Sequence, residues 1–267
     1  MKTENLEKVQ GTLELVTRKW WFIVVFILLD VLIPPIVTKG YDYSNMGEII
    51  PDIMGNSLSV SDSLSSLYPI FKILPIILVL ALIFSGNRFS RIFSFYAGIN
   101  YILIAAFQFI SISDTYGFAM VSGNFILTMA VALSWFWEFA IKRNDFTPPK
   151  INLIRFWVVP LAFLAFWFPL NFESMKPDFN LSYIFTNSVG LAFCNMTPVY
   201  LAILTLYYPR VNMVTLRITS LLGVIFSCWN LFMNFLIDPD HLWWFGILHL
   251  PLVFISIYAL ILSFRRS

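Results

Sequence analysis

The sequence predicts an all-α, polytopic integral membrane protein with eight transmembrane helices, and three observations carry that prediction. The 267 residues are 59% hydrophobic and only 12% charged, where soluble domains carry about a quarter charged residues. Apolar stretches near 20 residues long recur down the chain, and each suffices to cross a hydrocarbon core of roughly 30 Å. These stretches do not alternate polar and apolar residues, as the shorter strands of a membrane barrel would.

In chain order, residues 1–19 form a lead carrying Lys2, Lys8, Arg18 and Lys19, with Leu6, Val9, Leu13 and Val16 at helical spacing. It reads equally as an amphipathic segment at the inner interface or as a disordered tail. A cleaved signal peptide is not expected, because the charged lead is long and no small-x-small site follows it. The eight helices are expected over 20–37, 67–85, 92–110, 117–141, 156–170, 181–208, 215–237 and 242–264, making one transmembrane domain over 20–267. Trp20, Trp21, Trp135, Trp137, Trp243 and Trp244 fall near span ends, where aromatic belts anchor membrane proteins. Pro34, Pro35, Pro69, Pro75, Pro160, Pro198 and Pro251 fall within or at the ends of spans, and interior prolines favour kinks. The one long connection, 38–66, is rich in Ser, Asn, Gly and acidic residues and is expected to be a surface loop holding at most a helical turn.

Charge sorts the connections into two sets. The lead, 86–91, 142–155, 209–217 and the C-terminus hold 14 of the 17 basic residues, while the other set holds nine of the 15 acidic ones. By the positive-inside bias this places both termini in the cytoplasm, in a plasma membrane. The net charge of +2 is thereby accounted for, and nucleic acid is not an expected partner. The bilayer is, together with a small-molecule solute or a second membrane protein.

Sliding the chain by 126 residues pairs Arg91, Ile92 and Ser94 with Arg217, Ile218 and Ser220, and Asp114 with Asp240. A tandem repeat of a four-helix unit, with halves 20–141 and 155–264, would produce such matches, and parallel repeats are one way transporters are built. Chance identity among Phe- and Ile-rich helices explains them equally well.

Ionisable groups inside a span cost about 2.5–3.5 kcal/mol on insertion scales, so they normally face the bundle interior. Asp30 in the first span and Lys72 in the second fall at similar depth, by ~1.5 Å of rise per residue. An Asp30–Lys72 ion pair is therefore expected. Glu138, four residues before Lys142, is expected to pair with it at the interface. In the seventh span Ser220, Gly223, Ser227, Asn230, Asn234 and Asp238 follow at steps of three or four and share a helix face. Helix packing uses such stripes, but Asn230, Asn234 and Asp238 sit in its outer half, as Asn124, Asn187 and His249 do in theirs. The expected binding set for a water-accessible outer cavity is Asp30, Lys72, Asn124, Asn187, Asn230, Asn234, Asp238 and His249.

Several chemistries have no signature here. The chain contains no phosphate loop, no His-Glu-x-x-His and no Gly-x-Ser-x-Gly, each of which would mark a chemical class. His241 and His249 are eight residues apart on one helix, about 12 Å of rise, too far to share a metal. Cys194 and Cys228 lie inside apolar stretches, where free Cys behaves as a small hydrophobe. No metal, cofactor or catalytic residue is expected. The functional expectation is a small carrier or permease for a polar or ionic solute. The alternatives are a non-catalytic accessory, sensor or assembly subunit, and, last, a membrane-embedded lipid enzyme using His249 and Asp238.

Overall fold

The computed structural model describes residues 3–40, 42, 44, 46–58, 62–147 and 153–265. They form eleven α-helices, five short strands and connecting 3-10 turns. Among the described residues five helices are long and apolar enough to cross a membrane. A sixth crossing is made if the pair 183–191 and 193–207, bent by 99°, counts as one.

The lead is a helix, α1 (Thr3–Thr17), docked rather than loose. Gln10 and Thr17 are each 1% exposed. Gln10 donates to Asn212 Oδ1 (3.0 Å) and accepts from Trp137 Nε1 (2.6 Å). The first apolar helix, α2 (Trp20–Leu32), stops five residues short of the expected end, because Pro34 and Pro35 force the preceding backbone to extend. Within the connection 38–66, expected to be a surface loop, a ten-residue helix α3 (Met46–Gly55) forms and buries Ile49 and Ile53 completely. The amphipathic spacing of those two isoleucines outweighs the polar composition around them.

Helices α4 (Tyr68–Ser85), α5 (Ser90–Gln108) and α6 (Ser122–Ile141) follow. The fourth expected helix starts five residues late because its first residues are a strand. β1 (Ile36–Val37), β2 (Ile110–Ser113) and β3 (Gly117–Met120) form an antiparallel sheet in the order β1-β3-β2. The sheet pairs Ile36 with Met120 and Ile110 with Met120, tying two connections of the acidic set together.

The second half holds α7 (Val158–Trp167), a hairpin of β4 (Leu170–Asn171) and β5 (Lys176–Pro177), and the short α8 (Tyr183–Thr186). Then come α9 (Phe193–Tyr207), α10 (Met213–Phe232) and α11 (Pro239–Phe264). The sixth expected helix, 181–208, is thus broken by a 3-10 turn over Ser188–Leu191. The seventh ends in a π turn over Met233–Ile237.

An aromatic core joins α5, α6 and α9. Phe93, Trp135 and Tyr200 meet pairwise at centroid distances of 5.6–5.9 Å, and Tyr101 lies 5.5 Å from Tyr200. Inclined contacts of this kind suit the ring quadrupoles.

The connections of the basic set gather at one end. Arg143 pairs with Glu7, and Arg210 with Asp145. The buried Arg217 donates to Thr17 Oγ1 (2.6 Å) and to the Ser263 carbonyl (2.5 Å). Glu138 does not pair with Lys142. Its carboxylate, 1% exposed, accepts from Asn144 N (2.7 Å) and Asn212 Nδ2 (2.8 Å). Lys142 itself turns left-handed (φ 58°) to end α6 and is exposed. In the connection that follows, the hydroxyl and amide of Thr147 hold the Asp145 carboxyl down at about 2, helped by Asn87 and Arg210.

Candidate functional site

A helix leaves its last four carbonyls without intrahelical donors, and α7, only ten residues long, ends inside the protein. Each of those carbonyls finds a partner. Leu164 O accepts from Phe168 N (2.9 Å), Ala165 O from Asn195 Nδ2 (2.8 Å), and Trp167 O from Asn187 Nδ2 (3.2 Å). Phe166 O accepts from the Lys72 ammonium. The end of α7 is therefore closed by an amide from α9, an amide from the broken segment and a cation from α4. A cation is favoured there by the helix dipole.

Two local features bring these donors in. Phe168 takes the left-handed conformation (φ 52°) that reverses the chain after α7, a position usually given to glycine. Its ring is 2% exposed and packs near Phe245 and His249. Gly190 lies directly on α4, where a Cβ would stand 2.6 Å from the Phe71 carbonyl oxygen. Only glycine permits the broken segment to approach the backbone beside Lys72.

The break also frees backbone groups, and buried or half-buried side chains take them up. Asn100 Nδ2 donates to Gly190 O (3.0 Å), Tyr200 OH donates to Asn100 Oδ1 (2.8 Å), and Gln108 Oε1 accepts from Phe193 N (2.8 Å). Lys72 is 0% exposed with its Nζ 4.0 Å from the Phe166 ring centroid. Among the described residues the ion pairs are Arg143–Glu7, Arg210–Asp145 and His241–Asp238, so Lys72 has no acidic partner there.

The expected Asp30–Lys72 pair does not form. Asp30 Oδ2 accepts from Trp229 Nε1 (2.6 Å), and its buried Oδ1 has no partner. The helices explain why: α2 lies along α6 and α10, whereas α4 lies against α5, α8 and the 188–191 turn. Equal depth does not imply adjacency. Gly123 fixes the α2–α6 approach, since a Cβ there would lie 2.8 Å from Leu29 O and 3.1 Å from Asp30 O. Asn124, beside it, is half-buried.

The remaining expected residues lie along α10 and α11. Asn230 Nδ2 donates to Phe226 O (2.8 Å) and reaches Cys194 Sγ at 3.5 Å, next to Asn195. Asn234, 2% exposed, sits in the π turn and its Nδ2 has no partner. Asp238 pairs with His241 (2.8 Å) at the exposed start of α11. His249, 3% exposed, donates from Nδ1 to Phe245 O (2.7 Å). Asp238 and His249 thus have separate partners. Cys194 and Cys228 are both free.

Of the eight expected residues, the structure joins Lys72 and Asn187 on adjacent carbonyls of α7. Asn100, Gly190 and Asn195 complete that centre and were not singled out from the sequence. Asparagine and glycine are poor helix formers inside apolar helices, and the run Asn187-Ser188-Val189-Gly190 was the available signal for the break.

These features define an all-α protein with helices apolar enough to cross a membrane, centred on a helix broken beside a buried lysine. No family model, curated protein or solved structure matches the chain.

Proposed function

We propose that this protein is a multi-pass membrane carrier for a small polar or ionic solute, with the solute site at the broken helix. In this reading α2 and α7 complete a set of eight crossings, and the basic face, with both termini, is cytoplasmic in a plasma membrane. The observation that carries it is Lys72, a fully buried ammonium with no acidic partner among the described residues, set at a helix break. Buried charges are expensive in a bilayer and mark solute or ion paths, and discontinuous helices form the sites of many transporters.

An anionic group on the solute supplies the counter-charge Lys72 lacks, drawing the ammonium from Phe166 O. Asn187 and Asn195 then hold the exposed end of α7. Asn230 reaches the same centre through Cys194. Asp30 and Asn124, with Asn234, Asp238 and His249, line the path from the opposite face. The tandem four-helix reading fits the same scheme. α5 packs on α6 at Gly98, whose Cβ would lie 3.0 Å from the Phe136 ring, and α10 packs on α11 at Gly223, against Ser256. Each half thus has a glycine contact, though not at positions the 126-residue shift superposes.

The test is uptake of a panel of radiolabelled small carboxylates and amino acids into proteoliposomes. Wild type is expected to accumulate at least one of them saturably. Lys72→Gln should lower that uptake by about tenfold or more, the order expected for losing a charge-assisted contact, with Lys72→Arg intermediate and all proteins monodisperse. Uptake by Lys72→Gln equal to wild type sinks the reading. So does the absence of any flux together with stable co-purification of a second membrane protein, which would favour an accessory role.

A further inference from the structure

An apolar cavity adjoins the broken helix's polar centre at Phe166. It is a lateral groove of about 540 Å³ between α4, α7 and α9, within the ~300–1,000 Å³ of small-ligand clefts. Its walls are apolar: Pro75 to Ile83 on α4, Phe156 to Phe166 at α7, and Val199 to Tyr207 on α9. Eight residues of helix on α4 or α9 rise about 12 Å, close to one leaflet of a ~30 Å hydrocarbon core. Phe166, the ring under Lys72, closes the deep end. The other end reaches the basic face, between Phe156 and Tyr207.

Arg155 stands at that mouth. One of its Nη atoms donates to Tyr208 O, and its guanidinium lies 5.0 Å from the Tyr208 ring centroid. It is half-buried and has no acidic partner among the described residues. Among the described residues its remaining donors have no partner, and they form a planar array that suits a phosphate. An apolar trough one leaflet long, ending at an uncompensated arginine on the basic face, has the chemistry of a lipid site rather than of a solute path. Basic pockets between helices on that side of a membrane take anionic headgroups.

We propose that the α4–α7–α9 groove is a specific site for an anionic glycerophospholipid, one acyl chain in the groove and the phosphate on Arg155. The site is independent of the solute reading, and its test reads lipid and not transport. The full-length protein is purified in mild detergent and titrated with dioleoyl-phosphatidylglycerol or dioleoyl-phosphatidylcholine, with bound lipid counted by native mass spectrometry. Wild type should retain phosphatidylglycerol about fivefold more tightly than phosphatidylcholine, the scale of one arginine near an anionic headgroup. Arg155→Gln should remove the preference while leaving chain binding. Ala202→Phe, which fills the groove from α9, should lose both lipids. Equal retention of the two lipids by wild type overturns the proposal without any variant. So does an unchanged preference in Arg155→Gln, or a cross-link from Ala162 to a second membrane protein in place of lipid. Should Ala202→Phe fail to fold, the headgroup comparison in wild type and Arg155→Gln decides alone.

Discussion

The end of α7 and the far end of α10 are both polar places inside an apolar protein, and they are finished differently. At α7 every terminal carbonyl has a donor, three of them from other elements. At α10 the helix loosens into a π turn, and Asn234 Nδ2 and the nearby Asp30 Oδ1 are buried without partners. A satisfied buried network fixes its elements, while unsatisfied groups cost free energy where they are. The first region, where only Asn187 Oδ1 of the capping groups lacks a partner, is therefore the more rigid frame. The second is where the helices can shift most cheaply, and π turns recur at such places.

The two glycine approaches should separate the regions most strongly. Gly190→Ala forces a Cβ against the Phe71 backbone, which cannot yield, and is expected to destabilise by about 3 kcal/mol. Gly123→Ala meets the Leu29 and Asp30 backbone, but α2 is peripheral, with Val24, Ile27, Leu28 and Val31 exposed. It should move aside for about 1 kcal/mol. Unfolding midpoints in a common detergent measure both, and equal losses would erase the proposed contrast.

A smaller difference is expected between two asparagines. Asn195→Ala leaves the buried Ala165 carbonyl without its donor, for about 1–3 kcal/mol. Asn234→Leu removes an amide whose Nδ2 has no partner, and should fall within ~0.5 kcal/mol of wild type or stabilise. A large loss in Asn234→Leu would show that the π turn depends on that amide.

The smallest effect lies outside both regions, at the basic face. Asp145 is held down at about 2 in the folded protein, against roughly 3.9 unfolded. A depressed carboxyl contributes stability that is complete above the unfolded value and is lost as pH falls through the folded one. Thermal stability should accordingly drop between about pH 4 and pH 2, and Asp145→Asn should flatten that part of the profile. The group is 41% exposed, so solvent screening keeps the change small.

Much of the scaffold could be read from residues alone. Seven of the expected helical stretches contain one helix with limits up to five residues from those expected. Five of these helices are long and apolar enough to cross a membrane, and the departures follow local chemistry. Pro34 and Pro35 shorten α2, Pro169 follows the end of α7, and Asn187 to Gly190 break the sixth stretch. The candidate centre was half legible. Lys72 stands out because a charge in an apolar run is rare, and Asn187 because it falls in the outer half of a span. Asn100 and Asn195 drew no attention because an amide in a helix reveals nothing of its partner until a second helix is beside it.

What the sequence determined by itself is the class, the order of apolar segments and the sorting of charge between two faces. Hydropathy and charge are properties of each segment and need no neighbour. Residue number also gives depth, because a helix rises by a fixed ~1.5 Å per residue. Which helices stand side by side is decided by packing, where a glycine such as Gly123 or Gly190 admits one neighbour closely. That choice sent Asp30 to Trp229 and Lys72 to the end of α7, and only the tertiary structure could make it.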